Sequence, residues 1–244
     1  MGAEHFRELA RVSAPVDASR RVAHLDGEHL ALREWTIAAG SPRETALGEY
    51  AECFVVPRDG AVDLLGAEPV ARLEPGMLAF LPAPGDVRLI GAGCRFLVVG
   101  WRQEQQRERA EDGAPRVYRV AEALEPSAPG WRFFSVDGQY LTVGCSYREA
   151  LPPHREQPHS HDGEQINVAL DGRFAFTVGD HTEPLTDGWA ALTPRGVQHT
   201  GLHLELPYFQ LIFATPPRGQ DYAEFLRSIY RFDDVDEAAT AAGP

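Results

Sequence analysis

Two stretches decide how this chain reads: His159-Ser160-His161-Asp162-Gly163-Glu164-Gln165, and Gly188 through Pro194-Arg195-Gly196-Val197-Gln198-His199. Residues two apart on a β-strand share a face, so His159 and His161 project together. Gln165 follows a short turn and opens the next strand. His199 arrives from a strand distant in sequence, just past a Pro-Arg-Gly turn. Imidazoles from two strands converging on a side-chain oxygen suit one divalent transition metal: Fe, Mn, Co, Ni or Zn. Strand neighbours face opposite ways, so only one of Glu164 and Gln165 reaches that metal. The spacing to Gly172 favours Gln165 over Glu164, which could instead anchor the strand or order a histidine.

Working outward, the punctuation repeats. Asp59-Gly60 falls 112 residues before Asp171-Gly172, Gly76 before Gly188, and Pro82 before Pro194, without a gap. Each Asp-Gly pair is expected to form a tight hairpin turn. Short alternating apolar stretches recur at 29–36, 52–56, 61–65, 77–81 and 96–101, then at 140–147, 165–170, 173–178, 189–193 and 208–213. Many short strands at this spacing predict an all-β chain of two tandem barrels. The expected domains are 1–116, including a charged linker from 102, and 117–244. Helices are expected only at the periphery, over 103–111 and 221–230, the latter amphipathic through Tyr222, Phe225, Leu226 and Ile229.

The pattern His-x-His, then an acid or amide before a glycine, then Pro-x-Gly-x-x-His resembles the two motifs of the cupin family. The resemblance covers the second half and, through the repeat, the shape of the first. It implies two jelly-roll (double-stranded β-helix) barrels, with His159, His161, Gln165 and His199 as the metal ligands. The usual third ligand of that family is Glu, where this chain has Gln165. Shifted by 112 residues, the ligand positions become Leu47, Glu49, Cys53 and Val87, which leaves the first barrel under-coordinated and structural.

Composition sets outer limits. The net charge of −13 gives no general affinity for nucleic acid or an anionic membrane. Hydrophobic residues make up 43%, enough for packed cores, and no apolar run approaches the ~20 residues that span a bilayer. Cys53, Cys94 and Cys145 are odd in number and scattered, as isolated thiols are, and a cytoplasmic location is expected. The expected partner is a small-molecule substrate, and homodimer formation is compatible with barrels of this kind.

Three imidazoles and an amide would leave the full dipositive charge on the metal, which favours Lewis-acid work. The expected activity is isomerase, tautomerase or lyase chemistry on a small keto acid or sugar acid through enolate stabilisation. The glutamine-for-glutamate pattern is similar to that of the bicupin isomerase of bacilysin biosynthesis and of small cupins that linearise unsaturated uronates. A non-haem Fe(II) dioxygenase and a non-catalytic small-molecule-binding cupin are the alternatives. Glu164, Tyr147 and His154 are the candidates for a general base, and Asn167, Tyr147 and Gln210 line the cavity if strand phase holds. His181 and His203 fall outside the register and are read as structural or surface residues.

Overall fold

The computed structural model describes residues 5–40, 42–66, 71–102, 113–150 and 156–217. Both expected helices, over 103–111 and 221–230, lie outside the described residues, as does His154. The first half runs β1 (Phe6–Glu8), the single helical turn α1 (Leu9–Val12), β2 (Ala14–Asp17), β3 (Arg20–Asp26), β4 (Leu30–Ile37), β5 (Arg43–Ala46), β6 (Tyr50–Asp59), β7 (Val62–Leu65), β8 (Ala71–Leu73), β9 (Met77–Leu81), β10 (Arg88–Gly91) and β11 (Cys94–Arg102). The second runs β12 (Arg116–Arg119), α2 (Val120–Ala123), β13 (Glu125–Ala128), β14 (Trp131–Asp137), β15 (Thr142–Arg148), β16 (Gln165–Val178), β17 (His181–Leu185), β18 (Trp189–Thr193) and β19 (His199–Ala214).

In the first half a seven-stranded sheet (β12-β9-β6-β11-β4-β3-β2) faces a four-stranded one (β5-β10-β7-β8). The second half fuses the two into one sheet, β1-β18-β16-β19-β15-β14-β13 with β17 on β16. Fusion follows from length: β16 and β19, of 14 and 16 residues, bend from one side of the barrel to the other.

The Asp-Gly pairs are not hairpin turns. β16 runs straight through Asp171-Gly172, and its register with β19 slips on both sides of Asp171. Gly172 has φ 71°, and a Cβ there would lie 2.3 Å from the Pro207 carbonyl oxygen. Gly60 marks the same corner in the first barrel, with φ 66° and the Gly93 carbonyl oxygen 2.6 Å from where a Cβ would sit. There β6 hands over to β7, which pairs with β8 and β10 and not with β6. Glycine is needed at both corners for its positive φ and for the close backbone crossing.

The duplication is real but its spacing drifts. Ala31 opposite Gly100 matches Thr142 opposite Ala214, while Cys53 opposite Leu81 matches Gln165 opposite Thr193. The offset therefore grows along the chain, with two extra residues in the corner before Tyr208. Each half also lends its leading strand to the other: β1 pairs with β18, and β12 pairs with β9. A division at 116/117 falls at the head of the strand that completes the first barrel's sheet. Both exchanges are fixed alike, by Leu9 N–H donating to the Gly188 carbonyl and Val120 N–H to that of Gly76.

Three apolar cores result. One fills the seam between the barrels, with Phe54, Phe80, Leu97 and Val99 from the first and Val143, Ile166, Val168, Leu211 and Phe213 from the second. A second fills the first barrel, from Ala31 and Leu47 through Cys53, Val55 and Leu81 to Val98. The third, inside the second barrel, is smaller and centres on Phe174, Phe176 and Tyr208. The rest of that interior is polar, and the site lies there.

Candidate metal centre

Strand phase on β16 decides what faces inward. Ile166 and Val168 enter the seam, so Gln165, Asn167 and Ala169 turn into the second barrel. On β18 the same alternation sends Ala190 and Leu192 to the seam and Ala191 and Thr193 inward. His159 and His199 form an isolated antiparallel bridge, His159 N–H donating to the His199 carbonyl at 3.0 Å and the reverse at 2.8 Å.

The rings of His159 and His161 lie 4.2 and 4.9 Å, centre to centre, from that of His199. One ring nitrogen from each of the three falls within 4.8 Å of the others. Every Nδ1 faces a backbone carbonyl: His159 that of Gln157 at 3.0 Å, His161 that of Gly163 at 3.0 Å, and His199 that of Val197 at 3.2 Å. A carbonyl only accepts, so Nδ1 carries the ring proton and Nε2 keeps its lone pair. His161 Nε2 then sits 3.2 Å from Gln165 Oε1, two acceptors face to face. A cation between them would relieve that repulsion, and the donor set of imidazoles and one amide oxygen fits a first-row divalent metal. His199 is 1% exposed and Gln165 7%, so this cluster faces the interior.

Glu156 is a site neighbour that sequence reading missed. It is buried, and its Oε1 approaches His159 Nδ1 at 3.6 Å. Thr200 Oγ1 donates to its carbonyl at 2.6 Å. An acid three residues before a histidine carries no motif signal; only the bridge that folds this segment onto β19 brings it in.

The proposed general bases do not gather here. Glu164 points the other way, across the seam. Its carboxylate accepts from the backbone N–H groups of Glu28, His29 (2.7 Å) and Leu30 (2.9 Å) in the turn between β3 and β4. The first barrel returns the contact: Glu52 accepts from Gln139 (2.7 Å), Tyr140 (2.9 Å) and Leu141 (2.7 Å). Gly27 and Gly138 make room, since a Cβ at either would lie within 2.4 Å of the partner carboxylate. Burial pushes the Glu52 pKa up, against the pull of those three N–H groups. Glu164 is thus an anchor between barrels, the alternative role the sequence allowed it.

Tyr147 also misses the cavity. It packs against the seam core and meets Phe209 edge-on at 6.3 Å, because Ser146 and Arg148 take the inward positions of β15. Gln210 does face inward, but its Oε1 accepts from the Tyr208 hydroxyl at 3.2 Å. His203 is buried between Phe174 and Tyr208, ring centres 4.8 and 5.1 Å away, and burial, aided by Arg148, lowers its pKa to about 3. His181 pairs with Glu183 at 3.0 Å, part-exposed.

At the equivalent points of the first barrel, Leu47, Cys53 and Val87 are all in the apolar core. Burial drives the Cys53 thiol well above its ordinary pKa, and its apolar neighbours Leu47 and Val87 offer no second ligand. Glu49 is half-exposed and lies 3.7 Å from the Arg33 guanidinium.

Comparison with known proteins bears on the fold. Residues 147–203 match the cupin domain family. That stretch contains His159, His161, Gln165 and His199. Among curated proteins, none matches the sequence. Solved structures similar to the whole chain include AerE from Microcystis aeruginosa (14% identity, TM-score 0.65, covering 87% of this chain and 99% of that one). YlbA from E. coli is similar at 13% identity and TM-score 0.68, over 86% and 89% of the two chains. A mutant oxalate decarboxylase from Bacillus subtilis is similar at 12% identity and TM-score 0.65, over 87% and 77%. At these identities the likeness shows the fold: two tandem cupin barrels.

Proposed function

We propose that the second barrel holds one divalent transition metal and that the chain is a metal-dependent enzyme acting on a small oxyacid, as an isomerase, tautomerase or lyase. The observation that carries this reading is the set of inward Nε2 lone pairs, fixed by Nδ1–carbonyl bonds and opposed to a neutral Gln165 oxygen. His159, His161, Gln165 and His199 would hold the metal, which when bound supplies Lewis-acid polarisation of a substrate oxygen.

The chain's own residues do the rest. The Nδ1–carbonyl bonds fix ring orientation and tautomer. The seam core, backed by the Glu52 and Glu164 anchors, holds β16 and β15 rigid behind the cavity. Phe174 and Phe176, stacked at 5.7 Å, fill the apolar part of the same barrel beside Tyr208. Because Glu164 and Tyr147 face the seam, neither is the proton acceptor in this reading. Three buried free thiols accord with a reducing cytoplasmic setting.

Solvent exchange under anaerobic conditions tests the reading. Protein reconstituted with Mn or Zn should speed deuterium uptake from D2O at the methyl group of pyruvate, and a His161→Ala, His199→Ala variant should not. Turnover of the probe only in the presence of oxygen would contradict it and favour a dioxygenase.

A further inference from the structure

Behind the ligand cluster lies an amide whose nitrogen is left without a hydrogen bond among the described residues. Asn167 is 2% exposed and follows Gln165 by two residues on β16, so it faces the same interior one step further in. Its Nδ2 has no hydrogen-bond partner among the described residues. The residues directly across the sheet from it are Ala191 on β18 and Ile212 on β19, and neither side chain offers an acceptor. Thr193, paired across the sheet with Gln165, is wholly buried, and its Oγ1 likewise lacks a partner among those residues.

Two polar side chains therefore flank Gln165, one along its strand and one across it, both buried and both unsatisfied. Folded proteins rarely leave such groups unpaired, since each lost bond weighs against the fold. In the first barrel the same two points are held by Val55 and Leu81, inside an apolar core. Nothing in the architecture requires polarity there; the second barrel alone carries it.

We infer that Asn167 and Thr193 form the floor of the substrate site and recognise the second oxygen of a small α-oxo or α-hydroxy carboxylate, with Asn167 Nδ2 donating to it. This rests on the metal-site reading above. The floor carries neutral donors, so it selects by position of an acceptor oxygen and leaves the charge of the acid to the ligand cluster. A side chain at Gly201, which pairs with Phe176 across β16 and β19, would strike the Phe174 ring, and both phenylalanine rings belong to the apolar core of this barrel. Asn167 is thus a specificity-determining residue, and the substrate class is an acid with two adjacent oxygen-bearing carbons.

The test uses the full chain reconstituted with Co(II), with pyruvate and acetate as probes and calorimetry and the cobalt visible spectrum as readouts. Asn167→Ala should keep the same metal content and weaken pyruvate binding about 5- to 20-fold, while acetate, which lacks the second oxygen group, changes less than about twofold. Thr193→Val should act in the same direction. Independently, Asn167→Leu in metal-free protein should leave thermal stability unchanged or raise it, because it removes an unpaired buried donor. Wild-type pyruvate affinity in Asn167→Ala, equal losses for both probes, or a clear drop in the midpoint of metal-free Asn167→Leu would each overturn the assignment. So would metal-loaded wild type that fails to bind pyruvate, or a complex in which Nδ2 meets only an ordered water. Failure to load metal at all would instead sink the reading of the site itself.

Discussion

Cys53 in the first barrel and Gln165 in the second occupy the same point of the same pleat, one opposite Leu81 and the other opposite Thr193. The barrels also share their corner glycines, their exchanged leading strands and their reciprocal glutamate anchors. They differ inside. Leu47, Cys53, Val55, Leu81 and Val87 close the first interior with apolar packing. His159, Gln165, Asn167, Thr193 and His199 stand in their places in the second. The seam-facing half of each strand supplies stability in both copies, so the inward half is free to be either packing or chemistry.

Exchanging residues between the two interiors should break that symmetry most sharply. Cys53→Gln would bury an amide without partners in a filled core and should cost about 3–5 kcal/mol of stability, seen as a large fall in the denaturation midpoint. The reverse change, Gln165→Leu, should leave the metal-free protein folded and within about 1 kcal/mol of wild type. Equal effects at the two sites would show that the interiors are not distinct.

The anchors come next. Glu164→Ala strands three backbone N–H groups and should cost about 2–4 kcal/mol while leaving metal content intact. A Glu164→Ala protein of normal stability that is chemically dead would restore the catalytic reading and refute the anchor.

Glu156 should matter less and differently. Its carboxylate beside His159 supplies negative charge that Gln165 does not, so Glu156→Gln should weaken metal affinity about 10- to 100-fold at nearly unchanged stability. Adding Gln165→Glu should recover part of that loss. Metal titration of the single and double variants decides it.

Near neutral pH the mildest effect is that of His203, which shows only as the solution is acidified. His203 is held neutral by burial, with a folded pKa of about 3 against an ordinary 6.5. As pH falls below 6.5 the unfolded chain takes up a proton that the folded one refuses, so stability is lost between about pH 6.5 and 3. The slope from this group is at most about 1.4 kcal/mol per pH unit. Urea melts across that range should show a flatter dependence for His203→Phe.

Much of this was legible in the residues. The His-x-His pair, Gln165 and His199 come together as strand alternation and turn punctuation required, and the repeat pointed to Leu47, Cys53 and Val87, which lie in the first barrel's apolar core. The central strands were visible because their apolar alternation is strong. β2 was not: its four residues are all exposed, and such edge strands carry no periodic signal. The exchange of β1 and β12 was hidden for a physical reason, since three- and four-residue strands gain their stability from a partner hundreds of atoms away along the chain. Asp171-Gly172 misled because an Asp-Gly pair with positive φ serves a corner bulge as well as a hairpin. Glu164 and Tyr147 were misplaced as bases because sequence fixes which neighbours share a face, but not which face looks into the cavity and which into the seam.

The central claim is one metal site per chain, in the second barrel only. Elemental analysis after reconstitution with Fe, Mn, Co, Ni and Zn in turn tests it directly, beside a His161→Ala, His199→Ala variant confirmed folded by circular dichroism. The account predicts close to one equivalent of at least one of these metals in the wild type and none above background in the variant. Two equivalents per chain, or equal metal in both proteins, would contradict it.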